Sequence, residues 1–104
     1  MKPTSLSEKV KARFDHETTK RVLQERYHAK MFFAHNGGMW KAGPDLITQC
    51  NLCLANKHFQ PVLLDTYNNP VSINAEELKT LALERWQEQM NAWHVEYQEL
   101  TSKR

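Results

Sequence analysis

One apolar repeat near the end of this sequence constrains the fold more than any other feature. Leu78, Ala82, Trp86, Met90, Trp93, Tyr97 and Leu100 follow one another at spacings of 4, 4, 4, 3, 4 and 3, the period of a single helix face. Asn74 with Glu77 three residues later is a helix-start signal. Together they predict a helix over about 75–101. At about 1.5 Å per residue that helix is roughly 40 Å long. A small domain cannot cover all of it, so part of it is expected to pack on another chain.

The rest of the chain must fit around this element. Its 104 residues suit one domain, 1–104. Apolar residues at 40% and charged residues at 25% place it among folded, non-membrane chains. Three glycines and four prolines are too few for the closely spaced turns of an all-β sandwich or barrel. The expected class is mainly α with a small β-hairpin, a helical bundle with a long amphipathic C-terminal helix.

Ser5 with Glu8 has the form of a capping box, and Leu6, Val10 and Phe14 follow at i, i+4 and i+8. Between Phe14 and Leu23 the apolar stripe changes sides, so the sequence predicts a short helix over about 5–14 and a longer one over about 16–34, either separate or continuous with a kink or a change of packing partner. Residues 35–43 hold all three glycines and read as a loop. Pro44 suits a first helical turn with Asp45 beside its positive end, which predicts a third helix over about 44–56. Val62–Leu64 and Val71–Ile73 flank a run of Asp, Asn and Pro, the pattern of a hairpin over about 62–73.

Charge and chemistry-bearing residues narrow the function classes. The net charge of +2 is far from that of a dedicated nucleic-acid binder. It conceals an asymmetry: residues 1–43 carry nine Lys or Arg against four Asp or Glu, and residues 44–104 carry five against eight. Lys9, Lys11, Arg13, Lys20, Arg21, Arg26 and Lys30 are spread round the first helices rather than gathered on one face. No 7–15-residue apolar stretch suggests a secretory signal or a membrane span, so a cytoplasmic setting with reduced cysteines is expected. No catalytic constellation assembles from the five histidines, and the reading is non-enzymatic, without a cofactor.

Cys50, Cys53 and His58 have the spacing of the first three ligands of a zinc knuckle, with Leu63 where a fourth ligand would stand. His35 or His28 is the alternative fourth ligand. The competing reading makes both cysteines small buried residues on one helix face. The aromatics point instead to contacts between proteins. Trp86, Met90, Trp93, Tyr97 and Leu100 form a seam on the last helix, and Met39 and Trp40 in the glycine loop form a second contact, although Trp40 also fits as a core plug.

Residues 37–47, Gly-Gly-Met-Trp-Lys-Ala-Gly-Pro-Asp-Leu-Ile, then 64–71, Leu-Asp-Thr-Tyr-Asn-Asn-Pro-Val, and 90–97, Met-Asn-Ala-Trp-His-Val-Glu-Tyr, carry a resemblance. In them the chain resembles small structural and assembly proteins of T4-like and related tailed bacteriophages, over roughly 37–104. The resemblance implies a virion assembly factor or a small tail or baseplate component. Its partners would be phage structural or assembly proteins, in a homo- or hetero-oligomer, in the host cytoplasm or the virion. The alternative is a small regulatory protein, zinc-stabilised, that binds a host protein or nucleic acid.

Overall fold

The computed structural model describes the backbone of residues 4–102 and the side chains of residues 16–102. Three helices and two hairpins follow in the order α1 (Thr4–Lys30), β1 (Phe32–His35), β2 (Gly38–Lys41), α2 (Pro44–Ala55), β3 (Val62–Leu64), β4 (Pro70–Ser72) and α3 (Ala75–Ser102). The fold is mainly helical, with a long last helix and a small antiparallel hairpin over β3 and β4, as the sequence predicts, and a second hairpin over β1 and β2 that it does not.

The first helix takes the continuous form of the expected pair. α1 is one continuous helix, because residues 4–30 contain no Gly or Pro to break it when the apolar stripe changes sides. The expected contacts of Leu6, Val10 and Phe14 lie outside the described side chains. Farther along, Leu23 and Tyr27 are buried. α1 also ends at Lys30 rather than at 34, where Arg85 donates to the Lys30 carbonyl oxygen at 3.3 Å and closes the helix end.

The segment read as a loop over 35–43 is largely a hairpin. Asn36 at φ 51° and Gly37 at φ 80° are both left-handed, as a two-residue type I′ turn requires. β1 and β2 pair antiparallel with His35 opposite Gly38 and Phe33 opposite Trp40. Phe33 and Trp40 are both buried, so this cross-strand aromatic pair faces the core. The Ala42 N–H donates to Met31 O at 2.9 Å and extends the ladder by a step.

α2 begins at Pro44 as expected. It ends in a Schellman motif: Lys57 N–H donates to Leu54 O at 3.0 Å and His58 N–H to Cys53 O at 2.8 Å, with Lys57 left-handed at φ 62°. β3 and β4 pair with Leu63 opposite Val71. α3 opens on the Asn74 side chain, whose Oδ1 accepts the Glu77 N–H at 3.0 Å.

The core gathers Met31, Phe33, Trp40, Ala42, Leu46, Cys50, Leu63, Ile73, Ala75, Leu78 and Ala82. All these residues lie between positions 31 and 82, so the outer half of α3 reaches beyond the core, and there α1 packs on it. The result is a small head on an antiparallel two-helix stalk, with a longest dimension of 71 Å.

Candidate interaction surface

The outer half of α3 hides Trp86, Gln89, Trp93, Glu96 and Leu100, each half-buried, at spacings of 3, 4, 3 and 4. This 3.5-residue period is the seam of a two-helix supercoil. Opposite it, Tyr27 stacks on Trp93 with ring centroids 5.9 Å apart and planes 6° from parallel. His28 meets the same indole edge-on at 5.6 Å and 87°. Both sit within the 4.5–7 Å range of favourable aromatic pairs.

Polar contacts lock the register. The Tyr27 hydroxyl donates to Glu96 Oε1, and Arg26 donates to Glu96 Oε2 at 2.8 Å. Lys30 lies over the Tyr27 ring at 4.9 Å. The hydrogen bond from Tyr27, with Arg26 adding to it, holds the Glu96 carboxyl below its ordinary 4.5. The same bond to Glu96 raises the Tyr27 phenol above 10.0.

The expected seam is therefore split. Trp93 is half-covered by Tyr27 and His28 of α1, Trp86 packs against the head core and Leu100 is half-buried, whereas Met90 at 38% and Tyr97 at 37% exposure stand on the flank. The two are seven residues apart and share one side of α3. That side runs into a hollow of about 220 Å³ where the stalk meets the head. Its apolar lining is Met31, Leu46, Trp86, Met90 and Trp93, and its polar rim is His28, Lys41 and Asp45.

The second expected contact is corrected. Trp40 is buried at 2% exposure, and its indole N–H donates to His35 O at 3.0 Å, so it is the core plug. The hairpin puts it opposite Phe33 and leaves no anchor for a partner. Met39 is half-buried and its backbone is clamped. Asp65 Oδ2 accepts the Met39 N–H at 3.1 Å, and the Thr66 N–H donates to Met39 O at 2.8 Å. Gly38 sits under this junction: a Cβ there would lie 3.2 Å from Trp40 Nε1 and from Val71 Cγ2.

Asp65 was not singled out by sequence, although an Asp followed by Asn68, Asn69 and Pro70 is a turn signal. Its Oδ1 accepts the Tyr67 and Asn69 N–H groups, both at 2.9 Å. Hydrogen bonds from the Asn69 backbone first, then from Met39 and Tyr67, hold its carboxyl below the ordinary 3.8.

The zinc set does not come together. Among the described residues no three His, Cys, Asp or Glu side chains group so as to hold a metal ion. Cys50 is fully buried in the core on α2, Cys53 is half-buried a turn later, and His58 is exposed past the helix end. His35 stands on β1, its Nε2 3.6 Å from Glu77. Burial, with the neighbouring Cys53 thiol adding to it, pushes Cys50 up to about 11, the behaviour of an inert structural thiol. Among the described residues no helix is long and apolar enough to cross a membrane.

No protein-family model matches the chain, and no curated protein and no solved structure matches it.

Proposed function

We propose that this chain is a non-enzymatic protein–protein interaction module, a small structural or assembly component of a tailed-phage virion, working in the host cytoplasm. The observation that carries the reading is the open aromatic flank of the stalk. Trp93 is stacked and held by α1, yet Met90 continues the same surface into the hollow at α2 and Tyr97 continues it into solvent. Rigid aromatics beside an adaptable methionine are what a partner-binding surface uses. The non-enzymatic part draws support from the shifted groups. Asp65 and Glu96 are tied to backbone amides, Tyr27 and Arg26, in contacts that stabilise the fold. The resemblance to T4-like phage proteins supplies the setting.

The test is affinity capture of the tagged chain from phage-infected cells. Tail or baseplate proteins are expected to co-purify, and Met90→Glu with Tyr97→Glu should remove them while helicity by circular dichroism stays unchanged. Capture that is indifferent to both substitutions overturns the assignment of this face.

A further inference from the structure

α3 carries a second stripe on its inner half, away from the aromatic flank. Glu77, Leu81, Glu84 and Glu88 recur at spacings of 4, 3 and 4, one face of the helix. Two adjoining depressions, of about 390 and 300 Å³, share Leu81 and Glu84 on this face. Phe33 and Ala34 of β1 form the apolar wall of one, and Glu76 joins Glu77 and Glu84 in the other. Arg85 is the cation on the rim, and it donates to the Lys30 carbonyl. His35, with its side chain nine-tenths buried, faces Glu77 across 3.6 Å, and its Nε2 has no hydrogen-bond partner.

The complement lies in the chain's own sequence. Leu6, Val10 and Phe14 recur at i, i+4 and i+8, with Lys9, Lys11 and Arg13 interleaved. That apolar stretch spans roughly 12 Å of helix, and Glu77 to Glu88 spans roughly 16 Å. Although Lys9, Lys11 and Arg13 are spread round the helix and Glu8 lies among them, the stretch 6–14 has a net charge opposite to that of the glutamate stripe and a similar length. They cannot meet within one molecule. α1 runs antiparallel to α3 with Arg26 beside Glu96, so Phe14 lies about 18 Å beyond that pair and Glu84 about 18 Å back from it.

We propose that the acidic groove of Glu77, Leu81, Glu84 and Glu88 binds the basic stretch 6–14 of a second copy of this chain. Donor and acceptor are different surfaces at opposite ends of an elongated molecule, so the contact is head-to-tail and generates rings or open chains. The groove is separate from the Met90–Tyr97 flank, so self-assembly and partner capture are independent properties.

The experiment is sedimentation velocity on the purified full chain, alone, across a range of concentration and salt. The average mass is expected to rise with concentration to about two chains or more, and to fall to the monomer at high salt, where exposed charges are screened. Glu84→Lys with Glu88→Lys should abolish the association, as should Lys9→Glu with Lys11→Glu. A chain with all four reversals should regain it. The lysine reversals lie far from the core, so they report even where the glutamate pair disturbs folding. A monomer at every concentration and salt overturns the proposal, and so does assembly unchanged by either reversal. Assembly lost only with Tyr97→Glu also overturns it and assigns self-contact to the aromatic flank. No partner protein is present, so failure here leaves the capture experiment standing.

Discussion

The Asp65 carboxylate accepts the Met39 backbone N–H at 3.1 Å, tying the turn of the second hairpin to a strand of the first. Neither two-stranded sheet would be stable alone in water. With Thr66 donating to Met39 O, both backbone groups of one β2 residue are satisfied from the β3–β4 turn. The Asp65 clamp therefore adds a polar link between the two hairpins to the apolar core they share.

Asp65→Asn should lower the melting temperature at neutral pH and flatten its dependence on pH. The carboxyl is held below its ordinary 3.8 in the folded state. Its contribution is present above the unfolded value and is lost as pH falls through the folded one. The original chain should lose stability on acidification below about pH 4 more steeply than the variant. Thermal melts of both across that range measure it, and parallel curves would show that the clamp contributes nothing.

Tyr27→Phe should move the Glu96 carboxyl up toward its ordinary 4.5, but not all the way, because Arg26 remains 2.8 Å from it. NMR titration of the glutamate side chains reads this directly. An unmoved Glu96 would mean that the hydroxyl does not set the register of the stalk.

Lys57→Gly should raise stability by about 1 kcal/mol, since Lys57 sits at φ 62° where a Cβ is disfavoured. Part of this gain is offset by the extra freedom of glycine in the unfolded chain. Urea denaturation distinguishes a shift in midpoint from no change.

Cys50 should resist thiol reagents at neutral pH while Cys53 reacts. Cys50 is fully buried with its thiol raised to about 11, and Cys53 is half-buried. Mass spectrometry after timed labelling separates the two. Equal labelling rates would contradict the packing of α2 on α3.

The elements legible in the sequence were those whose local signals agreed with one another. α3 had a cap at Asn74 and an unbroken repeat, and α2 had Pro44 and Asp45 at its start. The first hairpin was missed because Asn36-Gly37 ends a helix as well as it turns a hairpin. Only the distant Phe33–Trp40 pairing decides between them. Near Asp15 the apolar face changes, which fits two helices or one helix that changes packing partner; with no Gly or Pro there, the continuous helix is the one that forms. The aromatic stripe was visible, yet which members face α1 depends on Tyr27 and Glu96, a pair 69 residues apart. The Asp65 clamp was hidden for the same reason, since Met39 lies 26 residues away.

The proposed docking face is the Met90–Tyr97 flank of α3. Its most direct test is a photo-crosslinking residue placed at position 97, with the same residue at exposed Leu52 as control, irradiated in phage-infected cells. One dominant adduct with a virion structural or assembly protein is expected from position 97 and none from position 52. Adducts from position 52 alone, or none from position 97, would contradict it.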